Sequence, residues 1–286
     1  MLSGPPTLHG DDTPLDLAVV VLNYNGGSLL RQVVRAVQRS RDLRVGVVVV
    51  DNGSTDTSMD DLARDLQAQE GEDSQRATLL LRTGANLGYA AGNNLGLFAL
   101  PARYIALLNN DALVEPDTLG TLIRFMDRYP MVAACAPRLV WPDGRPQPFS
   151  HGHDPTPAYL IARARARRRG LALHDWGPHA PRPVEWVAFT CAVIRPQALA
   201  TTGLLDQGIF MYFEDNDLCL RLRQRGWQVY FVPEVAVRHY NRPSYSDRTR
   251  LRNYYQGLGR FYRKHYGLAP GLIMQLLGRL QLLRRS

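Results

Sequence analysis

Four apolar runs recur at near-even intervals early in the chain, and each breaks off into a polar or glycine-rich cluster. LAVVVL (17–22) gives way to NYNGG, VGVVVV (45–50) to DNGSTD, TLLL (78–81) to RTGANLGYAAGNN, and YIALL (104–108) to NNDA. Helical patterns follow: one runs to about Ser40, one is capped by Thr55 or Asp56, and one starts near Pro116, a residue suited to a first helical turn. Strand ends at 22, 50, 81 and 108 have the spacing of consecutive strand–helix units in a parallel sheet. Runs that are apolar throughout, rather than alternating, predict a sheet covered on both faces. The fold class is therefore α/β, a mostly parallel sheet flanked by helices. Ligands of open α/β sheets bind at the carboxyl ends of the strands. Asn23, Asp51, Asn86, Gly88, Asn109 and Asp111 should then converge on one crevice.

The rhythm stops after the turn WPDGRP (141–146). Residues 147–183 are rich in Pro, His, Arg and Gly and read as a long loop, disordered or functional. WVAFTCAVIRP (186–196) and VYFVP (229–233) read as buried strands and VAVRHY (235–240) as a short one. A helix is expected from Asp247 to His265, and GLIMQLLGRLQLLRRS reads as a basic amphipathic helix.

Composition narrows the class. Hydrophobic content of 45% with 21% charged residues describes a folded globular chain whose 286 residues suit one elaborated α/β domain. Cys135, Cys191 and Cys219 are odd in number and each lies in an apolar run, which fits reduced core thiols. The start, MLSGPPTLHGDDTP, has no basic and apolar leader pattern, so a cytoplasmic location is expected. No apolar run reaches the roughly 18 residues of a membrane span. The net charge of +8 concentrates in RARARRR (163–169) and in the tail from Arg248 to Arg285. Anionic lipid or a phosphate-bearing substrate would suit such faces. Nucleic acid ranks last, because no zinc-finger spacing, aromatic RNP motif or basic-zipper pattern accompanies them.

The acids of FMYFEDNDLCLRLRQRGW (210–227) carry the chemistry. On a helix, Asp215 shares the apolar face of Cys219 and Leu222, while Asp217 stands four residues before Arg221 as a solvated pair. Glu214 lies on Asp217's side, where the helix dipole favours an acid. Asp215 should point inward, and a carboxylate facing a cleft from a helix start can accept a proton. Asp51 closes a valine strand and could accept from a pyrimidine N3–H or a ribose hydroxyl, or only cap the Asn52-Gly53 turn. Asp111 could hold a hard divalent cation, with diphosphate oxygens and His239 completing the shell. HGHD (151–154) matches no metal signature and reads as loop. GANLGYAAGNNLG (84–96) can bring backbone N–H groups to a phosphate. It is neither a P-loop nor GxGxxG, which weighs against ATPase and dehydrogenase classes.

Taken together, NYNG (23–26), DNGSTD (51–56), NLGYAAGNN (86–94), LLNNDA (107–112) and YFEDNDLCLRLRQRGW (212–227) resemble glycosyltransferase family 2 of the Rossmann-like GT-A fold. The nearest likeness is to its rhamnosyltransferase-like bacterial branch, over residues 17 to 242. The resemblance implies inverting transfer of a sugar from a nucleotide diphosphate donor. It makes Asp215 the general base, with Glu214 as fallback and Asp217 structural or orienting. It places Asn23, Asn25, Asp51, Asn52, Asn86, Gly88, Tyr89, Asn93, Asn109 and Asn110 around the donor, and Asp111 with His239 on a divalent metal, manganese or magnesium. Asn109 stands where the family's metal motif has its first acid. The implied domains are a flexible 1–14, a GT-A domain at 15–245 (donor half 15–115, acceptor half 116–245), and a basic helical tail at 246–286. The expected donor is dTDP-rhamnose, then a UDP-hexose. The expected acceptor is a glycan or lipid-linked hydroxyl, with peripheral membrane contact through the basic tail. A sugar-nucleotide nucleotidyltransferase and a silent nucleotide-sugar-binding module are the alternatives. NYNGGS lacks the basic residue that the first usually carries after its first strand.

Overall fold

The computed structural model describes residues 14–68, 77–171, 180–242 and 245–283. The expected flexible N-terminus lies outside these except for Pro14, as do Arg284 and Arg285 of the tail. The four apolar runs are strands β1 (Leu15–Asn23), β2 (Val45–Asp51), β3 (Thr78–Arg82) and β4 (Ala102–Asn109), interleaved with α1 (Ser28–Gln38), α2 (Ser58–Ala68) and α3 (Tyr89–Gly96). They pair in parallel in the order β3-β2-β1-β4. Every residue of β2 is buried, because alternate valines feed two cores. Val47 and Val49 pack with Val33 and Val37 of α1, while Val48 and Val50 pack with Ala90 and Leu97 on the other face.

The chain then adds β5 (Ala112–Val114), α4 (Thr118–Arg128), β6 (Val132–Val140), β7 (His151–Gly152), α5 (Pro157–Arg168), β8 (Arg182–Pro183), β9 (Trp186–Val187) and β10 (Cys191–Ile194). It finishes with α6 (Pro196–Thr202), α7 (Glu214–Gln224), β11 (Gln228–His239), α8 (Asp247–Tyr266) and α9 (Leu268–Leu283). Beyond β4 the sheet continues through β10, β6, β11 and β5, with β10 antiparallel to both neighbours and β11 parallel to β6. The result is a mostly parallel central sheet flanked by helices, with two C-terminal helices packed beside it. Strand order reverses between β1 and β4, and that switch point opens the crevice at their carboxyl ends. Register places Asn23 opposite Asp51 and Leu22 opposite Asn109. Cys135, Cys191 and Cys219 are free and buried.

Several local expectations are corrected. The segment 147–183 is not loop throughout, since α5 carries most of RARARRR. Ala and Arg are strong helix formers, but their alternation leaves no apolar stripe for periodicity to reveal. HGHD is not free loop: His151 pairs with Val187 across β7 and β9, and Asp154 is buried against Arg223 at 2.6 Å. WVAFTCAVIRP is split between β9 and β10, and VYFVP with VAVRHY form the single strand β11. A register shift between Val232 and Ala236 absorbs Pro233, which has no N–H to give the ladder.

Helix α9 is not the basic amphipathic helix expected of this stretch. Its two glycines face α8 on the side of Met274: a Cβ on Gly278 would overlap Tyr255, and one on Gly271 would stand 2.8 Å from Arg263 Cβ. The leucines are thereby turned outward, so the exposed face is aliphatic rather than basic.

Candidate functional site

The carboxyl ends of β1 and β4 open into a cleft of about 1660 Å³ that runs past α7 to α5, α8 and α9. Asn52, Asn86, Gly88, Tyr89, Asn109, Asn110, Asp111, Glu214, Asp215 and His239 line it. Asn23, Asn25, Asp51 and Asn93 stand behind that lining. Asn23 is fully buried, and its amide donates to Asp51 Oδ1 (3.2 Å), Ser54 Oγ (3.1 Å) and Ser58 Oγ (3.0 Å) while accepting from Asn110 Nδ2 (3.0 Å). It braces two strands and a helix start. Asn25, at φ 53°, accepts from the backbone N–H of Thr55 at 2.8 Å and of Asp56 at 3.3 Å, which folds DNGSTD back toward β1. Asn93 donates to the Tyr89 carbonyl at 2.9 Å inside α3.

The cleft wall is tied to the segment that leads into α7 through the NLGY turn. Asn52 Nδ2 donates to Asn86 Oδ1 (3.1 Å) and to the Gly88 carbonyl (3.2 Å), and its Oδ1 accepts from Leu87 N–H (2.9 Å). Gly88 sits at φ 86°, and a Cβ there would lie 2.5 Å from the Phe210 carbonyl, so only glycine fits. Tyr89 N–H donates to that carbonyl at 2.7 Å, and its hydroxyl donates to the Phe189 carbonyl at 2.6 Å. At the rim, Asn86 Nδ2 donates to Tyr245 OH at 2.6 Å, and the Tyr245 ring stacks on Tyr24 with centroids 5.7 Å apart.

Asp111 and His239 face each other across the cleft floor, with His239 Nε2 3.3 Å from Asp111 Oδ1. Gln147 decides what that contact means. Its Nε2 donates to the His239 carbonyl at 2.7 Å, so its Oε1, 2.8 Å from His239 Nδ1, must accept from that ring N–H. In the neutral imidazole the lone pair then lies on Nε2, aimed at a carboxylate oxygen. A positive charge between these two acceptors would relieve their repulsion. Asp111 Oδ2 meanwhile accepts from Arg242 N–H at 2.8 Å, which fixes the carboxylate plane. Among the described residues no group of three or more His, Cys, Asp and Glu gathers to hold a metal. Asp111 and His239 could hold a divalent ion only with further ligands from outside the described residues.

Three acids begin α7, and their surroundings set them apart. Tyr212 and Phe213, at φ 67° and 72°, turn the chain sharply into the helix. Glu214 is buried with Oε2 lacking a hydrogen bond; burial, then the Asp215 charge, raises its carboxyl well above the ordinary range. Asp215 is partly buried in the cleft wall, and burial pushes it up to about 6 against backbone N–H donation from Asn216 and Phe189. Asp217 is fully buried rather than the solvated partner expected of it. Arg221 grips it at 2.8 Å as predicted, but Lys264 and His265 of α8 also reach it at 2.8 Å each. Burial alone would raise its carboxyl, but the His265 hydrogen bond, the Arg221 charge and Lys264 hold it down at about 2. Asp217 is a joint between α7 and α8.

Sequence reasoning missed Gln147, Tyr24 and Tyr245. Tyr24 was within reach, since it lies inside NYNG. Gln147 gave no signal, because its partner is 92 residues away.

A family model described as Glycosyl transferase family 2 matches residues 18–185, and one described as Glycosyl transferase family group 2 matches residues 104–284. N-acetylglucosaminyl-diphospho-decaprenol L-rhamnosyltransferase of Mycobacterium tuberculosis is 28% identical over 249 residues, 78% of this chain and 76% of its own length. Mannosyltransferase PcManGT from Pyrobaculum calidifontis, solved with GDP-Man and Mn2+, is similar with a TM-score of 0.61 at 18% identity, over 95% of this chain and 70% of that one. GalNAc-T7, solved with UDP, GalNAc and Mn2+, gives 0.62 at 17%, over 88% and 50%. With the GT-A fold shared and the family model spanning more than half its length, the chain belongs to glycosyl transferase family 2, on its rhamnosyltransferase-like side.

Proposed function

We propose that this glycosyltransferase moves a sugar, with inversion, from a nucleotide diphosphate donor to a hydroxyl of a lipid-linked glycan at the inner face of a membrane. The relative from M. tuberculosis, whose name joins L-rhamnose to an N-acetylglucosaminyl-diphospho-decaprenol acceptor, supports rhamnose ahead of a hexose as the sugar moved, with dTDP-rhamnose the proposed donor. The observation that carries the reading is a division of labour within one cleft. A carboxylate poised near 6, Asp215, stands on one wall, and the facing acceptors Asp111 and His239 stand on its floor.

In this reading Asp215 takes the proton of the acceptor hydroxyl. The acceptor oxygen bonds the anomeric carbon as the bond from that carbon to the diphosphate oxygen breaks on the opposite face, which inverts the centre. The electron pair leaves on the nucleotide diphosphate. Burial raises the Glu214 carboxyl, which disfavours a second charge beside the base. Asp111 and His239 would hold manganese or magnesium, which when bound offsets the charge gathering on the leaving group. Asn52, Asn86 and Gly88 hold the backbone turn against which the donor lies, and Tyr24 with Tyr245 offers an aromatic surface for its base.

The test is thermal stability of the full chain against dTDP-rhamnose and UDP-hexoses, with Mn2+ or with EDTA. A ligand at a hundred times its Kd stabilises by about 2.7 kcal/mol, and the gain should vanish in EDTA. If no nucleotide sugar moves the melt under any metal condition, the proposal fails. If Asp215→Asn still transfers sugar at the wild-type rate, the base has been misassigned.

A further inference from the structure

Helix α9 presents its aliphatic side chains to solvent. Leu268, Leu272, Ile273, Leu276, Leu280 and Leu283 are each 46% to 70% exposed. Helical spacing puts all six on one half of the helix, and Arg279 is the only charged residue among its 16. The arrangement is built into the seam. Gly271 and Gly278 meet α8 where any larger side chain would overlap it, so the glycine side cannot be the outward one.

We propose that this face lies on the surface of an anionic lipid bilayer, which presents the lipid-linked acceptor to the cleft. Three observations select a bilayer. First, no helix of the described residues is long and apolar enough to cross a membrane, whereas α9, at about 24 Å, has the size and one-sided character of a helix lying in the interface plane. Second, the face is continuous with the catalytic cleft: Met274, Leu277 and Gln281 of α9 line the same cavity as Asp215. A lipid carrier lying along α9 would enter with its sugar directed at the base. Third, the surrounding charge is complementary to anionic headgroups. Arg163 and Arg168 of α5 line the same cavity as Met274 and Leu277 of α9, and the whole chain carries +8. That charge attracts acidic lipid and repels a second copy of the same chain. The contact expected of a basic tail is thus made by leucines, with arginines at the side. Lipid as the carrier of the acceptor rests on the proposed function; docking itself does not.

The experiment is flotation of the full-length protein with phosphatidylglycerol–phosphatidylcholine vesicles, beside vesicles of phosphatidylcholine alone. The comparison protein carries Leu272→Glu, Leu276→Glu and Leu280→Glu, all at exposed positions that leave the α8 seam intact. Wild type should float with the mixed vesicles and less with the neutral ones. The triple variant should lose at least about tenfold in partition while keeping its melting temperature and nucleotide-induced shift. Wild type that stays unbound, or a variant that floats equally well, overturns the proposal. So does a wild-type dimer by light scattering that the triple variant dissolves without any vesicle binding, which would make the face a self-association surface. Flotation lost in the variant while no nucleotide sugar ever shifts the melt would keep the docking face and reject the enzymatic reading.

Discussion

Asp215 and Glu214 are neighbours in sequence, yet the folded protein treats them differently. Glu214 has a buried oxygen without a donor and is driven toward its neutral form, whereas Asp215 receives backbone N–H groups and ionises near 6. Transfer should therefore fall as pH drops through about 6, in a profile of initial rate against pH. The stability sign is opposite to that of an ordinary ion-paired aspartate. A raised folded value means that ionisation opposes folding, so the stability is fully present below the unfolded value near 4 and is lost as pH rises through about 6. Asp215→Asn should cut kcat by roughly 10²–10⁴-fold and raise unfolding free energy near neutral pH by roughly 1–3 kcal/mol. Its advantage in melting temperature should shrink toward pH 4. Gln147 makes a separate prediction. Gln147→Leu removes the group that fixes the His239 ring, and the Mn2+ concentration giving half the nucleotide-induced melt shift should rise about 10–100-fold.

Elements hold these side chains in place, and here the sequence was legible in some places and mute in others. Parallel strands announced themselves because each is covered on both faces and must be apolar throughout. The carboxyl ends followed from that alone, so the cleft position of Asn109, Asp111 and Gly88 could be anticipated. Whether an asparagine at such an end meets the cavity or braces the loop behind it depends on partners far along the chain, which is why Asn23 and Asn25 gave no hint of their bracing contacts. Helix α5 stayed hidden because its arginines interrupt any apolar stripe. The direction of α9 was unreadable because it is set by where the glycines meet α8. The start of α7 offers a test at this scale. Two consecutive aromatic residues at positive φ cost on the order of 1–3 kcal/mol each and persist only when the surroundings enforce them. Phe213 is held against Tyr254, ring centroids 5.0 Å apart, and Gly257 passes beneath the Tyr212 carbonyl where a Cβ would collide. Gly257→Ala would raise helix propensity by about 1 kcal/mol, yet it should lower both melting temperature and kcat while leaving nucleotide binding in place. A more stable, fully active Gly257→Ala would refute the account of this turn.

Across the whole molecule, the crevice at the ends of the first four strands and the C-terminal helices meet at α7. That helix shows Asp215 to the cavity and hands Asp217 to α8, whose neighbour α9 borders the same cavity. The two carboxyls lose their charge at very different acidities, Asp215 at about 6 and Asp217 only at about 2. Mild acid therefore reaches the chemistry well before it reaches the hinge pin. A sample held near pH 5 should run at roughly a tenth of its neutral rate with its architecture intact and recover on return to neutrality, whereas one taken below about pH 2 should lose the Asp217 joint as well. Proton concentration would act on this protein as a throttle long before it acted as a denaturant.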